Sequence, residues 1–180
     1  MRRVILVISV LLVSAAVSYS QTPYAGQEKR EIKALSAEEI DAYLSGQGMG
    51  LAKAAELNHF PGPKHVLELA PQLQLSDKQI IETKKVFDAM RAEAISVGRL
   101  VVDKEKELDR LFEQKKIDSK KLRAAVSEIA RLQGRLRAAH LQAHLEMKQL
   151  LSTTQIEKYV ELRGYKNGAE HDPSKHRGEL

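Results

Sequence analysis

The chain has 180 residues, no cysteine, no tryptophan, and 29 basic against 24 acidic side chains, a formal charge of +5. The lack of cysteine excludes disulfides, thiolate metal sites and a lipid-acylated cysteine. Ala, Leu, Lys, Glu, Gln and Arg dominate, with only three Phe and five Tyr, which is a helix-forming composition.

Arg2 and Arg3 precede an apolar run over 4–17 that only Ser9 and Ser14 interrupt, and Ser18 and Ser20 occupy the −3 and −1 positions of a cut before Gln21. This is the pattern of a cleavable secretory signal. The run falls short of the roughly 20 apolar residues that a spanning helix needs. Residues 1–20 are therefore expected to be removed on export, leaving no membrane span. Without Arg2 and Arg3 the balance is 27 basic against 24 acidic residues, or +3. Export removes nucleic acid as a partner, and the chain lacks the aromatic stacking groups of single-strand binders. The basic excess suits acidic or unfolded polypeptide, or an anionic membrane surface.

A flexible segment over 21–34 is expected next, then a helical domain over 35–164. The domain repeats one pattern: Leu35-Ser36-Ala37-Glu38-Glu39-Ile40, Leu75-Ser76-Asp77-Lys78-Gln79-Ile80 and Leu151-Ser152-Thr153-Thr154-Gln155-Ile156. Each reads as a helix start. The serine caps the amide three residues on, and the Glu or Gln at that position reaches back to the serine N–H. Leu and Ile staple the first turn from either side. Ile117-Asp118-Ser119-Lys120-Lys121-Leu122 keeps the cap and the staple but has Lys where the box needs Glu or Gln.

Two long helices follow from these starts. The first runs from Asp77 to about Phe112, with an apolar stripe at Ile80, Phe87, Met90, Ala94, Val97, Val101, Leu108 and Leu111 that Thr83 and Lys104 interrupt. The second runs from Ser119 to about Leu151, with a stripe at Leu122, Val126, Ile129, Leu132, Leu136, Ala143, Met147 and Leu150. The heptad spacing gives each helix one apolar face. The short connection Gln114–Asp118 folds them antiparallel. The fold class is all-α: a long antiparallel helical hairpin with short flanking helices over 36–44, 51–58, 64–70 and from Ser152 to about Gly164. Such a hairpin cannot cover its own stripe, so a further helix or a second subunit must. The tail 165–180 is polar and aperiodic, and is expected to be disordered.

Two constellations stand out. His140, His144 and Met147 share one helical face, and imidazole with thioether suits zinc, copper, nickel or cobalt. The same face is the apolar stripe, so a packed core histidine is the competing reading. His59 and His65, on a segment that folds back, are candidate further ligands, although Pro61-Gly62-Pro63 separates them; His171 and His176 lie in the tail. The second constellation is a line away from the stripe, Ile81, Ile95 and Val102, flanked by Lys84, Arg91, Arg99 and Lys106. Apolar groups among positive charges suit weak capture of unfolded chains. The same line could instead pack against the short N-terminal helices or a second subunit. No catalytic signature is present: there is no H-E-x-x-H, no G-x-S-x-G, and Gly46-Gln47-Gly48-Met49-Gly50 follows no strand. The chain is expected to bind rather than to catalyse, with no required cofactor.

The two boxes at Leu75, Ser76, Gln79 and at Leu151, Ser152, Gln155, on the second and last helices of an exported hairpin, resemble the LTxxQ-motif family of periplasmic proteins. That family includes Spy- and CpxP-like chaperones and related periplasmic heavy-metal sensor and resistance proteins. The resemblance covers residues 65–165, with Ser in place of the usual Thr. It implies a four-helix hooked hairpin that forms a homodimer. It further implies ATP-independent binding of unfolded clients, or metal sensing through His and Met on the late helix; an adaptor that binds an envelope sensor protein is a third possibility. The chaperone is the leading expectation and the metal sensor its alternative.

Overall fold

A computed structural model describes residues 24–165; the expected signal peptide (1–20) and all but Tyr165 of the expected tail lie outside them. The described chain is all-helical. A 3-10 turn at Gln27–Lys29 precedes α1 (Ala37–Ser45), α2 (Lys53–Glu56), α3 (Pro63–Glu68), α4 (Asp77–Glu113), α5 (Ser119–Leu150) and α6 (Thr153–Leu162). At 1.5 Å per residue, α4 and α5 are about 55 and 48 Å long. They pack antiparallel as the hairpin, with α1 against α4, α2 against α5, and α3 against both.

Each helix start is built as its residues dictate. The Ser36, Ser76 and Ser152 hydroxyls accept from the amides of Glu39, Gln79 and Gln155 at 3.1, 3.3 and 3.2 Å. The three partner side chains accept from the serine amides in return, at 2.8, 3.1 and 3.0 Å. At α5 the Asp118 carboxylate takes the Lys120 and Lys121 amides instead.

The two glutamine boxes do more than cap. Gln79 Nε2 donates to Gln155 Oε1 at 2.8 Å, and Gln155 Nε2 donates to Gln79 Oε1 at 3.1 Å. Each amide also reaches a backbone carbonyl beside the other box: Gln79 to Leu150 O, and Gln155 to Leu73 O. The starts of α4 and α6 are thus clasped by their third residues. Glu39 of α1 closes its box with no such tertiary partner.

The core falls into two clusters. Val66, Leu73, Met147, Leu151, Ile156 and Tyr159 fill the clasped end. Ala94, Val97, Val101, Leu132 and Leu136 fill the middle, with Tyr43 and Leu51 packed over them. Gly98 permits that cover, because a Cβ there would fall 2.2 Å from the Tyr43 carbonyl oxygen. The N-terminal stretch before α1 is also held down. Ile32 is buried, Lys33 bonds Asp109 at 2.8 Å, and Glu31 pairs with Lys106. Within the segment expected to be flexible, Glu31, Ile32 and Lys33 are thus held against α4.

The apolar stripes differ from expectation at their ends. Ile80 at the start of α4 is exposed, as are Leu122 and Val126 (50%) toward the hairpin tip. Among the described residues no element is long enough to cover them. Thr83, an expected interruption, is fully buried, and its hydroxyl has no partner.

Gln79→Glu separates capping from clasping, since Glu39 shows that a carboxylate closes the box, whereas a carboxylate cannot donate to Gln155 or Leu150. A loss of about 1–3 kcal/mol is expected in denaturant unfolding, against less than about 0.5 kcal/mol for Glu39→Gln. Equal effects at the two positions would show that Gln79 acts only as a cap.

Candidate functional site

Between the two core clusters the inner face of α5 turns polar. His140 and His144, one turn apart, are 4% and 8% exposed, and they interrupt the run from Leu136 to Met147. Beside them is a cavity of about 650 Å³. It is bounded by the glycine loop 46–50, by α2 and the start of α3, by Phe87, Met90 and Arg91 of α4, and by Arg163 and Tyr165 beyond α6.

Glu56 on α2 organises one wall. Its Oε1 accepts from the Tyr159 hydroxyl at 2.6 Å, the Tyr165 hydroxyl at 3.0 Å and Arg163 Nε at 3.3 Å. Oε2 is buried with no partner and lies 3.7 Å from His144 Nδ1, too far for a hydrogen bond. Burial, reinforced by the neighbouring carboxylate, pushes the Tyr159 phenol far above its usual range, so it stays a neutral donor. The Tyr159 oxygen also accepts from the Gly62 amide at 3.3 Å, which ties the Pro61-Gly62-Pro63 turn into the wall.

The histidines are fixed differently. His144 Nδ1 lies 2.7 Å from the Phe60 carbonyl. A carbonyl only accepts, so Nδ1 carries the proton, and in the neutral ring the Nε2 lone pair is free to bind. His140 Nε2 is buried with no partner. Burial first, then the neighbouring His144 charge, lowers the His140 pKa below 6.5, so this ring is neutral at pH 7.

These donors fit a transition metal in kind: two imidazoles and a carboxylate, the last two of them, His144 and Glu56, braced by hydrogen bonds from behind. They do not form a closed cage, because among the described residues no three His, Asp or Glu side chains already converge on one point.

The sequence-predicted ligands divide. His140, His144 and His65 line the cavity, and His65 Nδ1 sits 2.7 Å from a Glu68 oxygen. Met147 is wholly buried and packs among Val66, Leu73 and Tyr159, outside the cavity lining. His59 is exposed at a left-handed backbone position (φ 64°) and is not among the cavity-lining residues. His171 and His176 lie outside the described residues. Glu56, Met49 and Met90 were missed. Nothing local marks Glu56 among 24 acidic residues; only the fold-back of α2 onto α5 brings it to His144.

The basic and apolar line of α4 is not a continuous free surface. Ile81, Lys84, Arg91 and Arg99 are exposed, but Ile95 and Val102 are half-buried, and Lys106 is paired with Glu31. The end of α1 lies on this stretch: a Cβ on Gly46 would stand 3.0 Å from Ile95 and 3.2 Å from the Arg91 carbonyl. The chain's own N-terminal helices cover half of the line.

A family model described as heavy-metal resistance matches residues 4–158 of the chain. No curated protein and no solved structure matches it.

Gly62 seals the cavity wall by lacking a side chain. A Cβ there would lie 2.9 Å from His144 Cε1, 3.1 Å from its Nε2 and 3.4 Å from Glu56 Oε2. The imidazole, held by Phe60, cannot swing away without losing that bond. Gly62→Ala is therefore expected to destabilise the fold by about 1–3 kcal/mol and to shift the His144 ring signals in NMR spectra. Unmoved His144 signals at unchanged stability would show that the turn does not press on this ring.

Proposed function

The chain belongs to the heavy-metal resistance family, and on that premise we propose that it is an exported periplasmic protein that binds a transition-metal ion without turnover. One observation carries this reading. His140, His144 and Glu56 line one cavity, where His140 Nε2 and Glu56 Oε2 are buried without hydrogen-bond partners and the Phe60 carbonyl on Nδ1 leaves the Nε2 of a neutral His144 ring as a lone pair. An orphaned buried donor or acceptor costs about 1–3 kcal/mol, so two at one cavity mark a place for something that satisfies both. Imidazole and carboxylate together suit zinc, copper, nickel or cobalt. An ion held there would cross-link α2 to α5.

Any ion that binds only the folded chain raises its stability, by about 2.7 kcal/mol at a hundredfold excess over Kd. Titration with zinc, copper, nickel and cobalt salts is expected to raise Tm, and Glu56→Gln to reduce the rise. His140→Ala combined with His144→Ala is expected to abolish it. Unchanged calorimetric binding in that double variant would remove these residues from the site.

A second reading, ATP-independent capture of unfolded chains, draws on what remains open of the α4 line. Ile81 is 55% exposed, Ile80 is exposed beside it, and Lys84 and Arg91 follow on the same helix. Under this reading a few-fold molar excess of the protein suppresses light scattering by an aggregating client, and Ile81→Glu weakens the effect. Undiminished aggregation would dispose of it.

A further inference from the structure

The lining of the cavity goes beyond histidine and carboxylate. Three methionines follow Met1 in the chain, and two of them, Met49 and Met90, border the cavity from elements other than α5. Met147 packs in the core. Met49 fills no core position and is 40% exposed. It sits in the left-handed region (φ 46°) of a loop with glycines at 46, 48 and 50. A long apolar side chain placed in water, on backbone that side chains rarely adopt, is poorly explained by packing.

The charge of the cavity opposes any cation, a divalent one most. Lys53, Lys64, Arg91 and Arg163 line it, and Glu56 is its one carboxylate, with Arg163 already on Oε1. Among the described residues, Lys53 and Arg91 form no ion pair. A divalent ion meets twice the repulsion from these cations that a monovalent ion meets. It also lacks the convergent oxygen and nitrogen donors that would offset it. Thioether sulfur, by contrast, is a donor that a soft monovalent ion prefers, and imidazole also serves copper.

We propose that this cavity is selective for a soft monovalent coinage-metal ion, cuprous or silver, with Met49 and Met90 supplying thioether sulfur alongside His140 and His144. The proposal rests on the metal-binding reading above and specifies its ligand. Met49, on the glycine loop, is the donor that brings the N-terminal part of the chain to an ion held on α5.

The test is competition of the whole chain against a cuprous chelator under nitrogen, with silver as a redox-inert probe and zinc titrated in parallel. Leucine replaces methionine at nearly constant volume, so Met49→Leu, alone and with Met90→Leu, should leave the far-UV circular dichroism intact. The wild-type chain is expected to hold cuprous and silver ions at least about tenfold more tightly than zinc. The double variant is expected to lose on the order of 10–100-fold in cuprous affinity, at least the loss that follows from disturbing a ligand's support. Its zinc affinity should stay within about threefold, and X-ray absorption of the cuprous form should show sulfur at the metal in the wild type alone. Should Met90→Leu disturb folding, exposed Met49→Leu decides by itself. Zinc binding as tight as cuprous, or leucine variants that match the wild type, overturn this proposal and leave the metal-binding reading standing. No binding of any ion overturns both.

Discussion

The reciprocal amide pair between Gln79 and Gln155 is the constraint on which the rest of the molecule depends. Two helices that begin 76 residues apart are locked to each other at their third positions, and each amide satisfies a carbonyl next to the other helix start. A carboxylate would close either box equally well but could donate nothing across the gap. The chain uses Glu at the box that stands alone, in α1, and Gln at the two that meet. The amide is thus a requirement of the pair, not of the cap.

The clasp acts at a distance on the cavity. By fixing where α6 starts, it fixes where Tyr159 and Arg163 emerge, and both land on Glu56 Oε1. With Oε1 saturated, Oε2 is left facing the histidine turn of α5. Tyr159 also holds the Gly62 amide, and Gly62 lies against His144. A chain of hydrogen bonds therefore runs from the capping boxes through α6 and α2 to the histidine turn on the inner face of α5. The boxes are remote from the donors, yet they determine which oxygen of Glu56 is available.

Local physics makes much of this legible in the sequence. Ser36, Ser76, Asp118 and Ser152 declare their caps by type and spacing, and the observed helices begin where those residues place them. The heptad stripes specify the hairpin, and the spacing of His140 and His144 specifies the polar turn. Tertiary fold-back is not legible. Glu56 lies 88 residues before His144, on a helix of four residues with no periodicity to read. The Ile95–Val102 stretch looks available because a stripe shows which side chains are apolar, not which element covers them. Gly98 holds the clue, since a glycine within a helix marks a close backbone approach, here that of Tyr43.

The polar turn is costly, and its cost bears on what it does. A leucine at 140 would join Leu136 and Met147 in one continuous core and gain about 1.5–3 kcal/mol of burial. Instead the core is split, with His140 Nε2 and Glu56 Oε2 unsatisfied at about 1–3 kcal/mol each. Domains of this kind have only about 5–15 kcal/mol in total, so the cavity consumes a sizeable share of the margin. Ligand binding at a hundredfold excess over Kd contributes about 2.7 kcal/mol, the same order as that deficit. On the metal-binding reading, an ion that satisfied these atoms would couple its own binding to the stability of the fold.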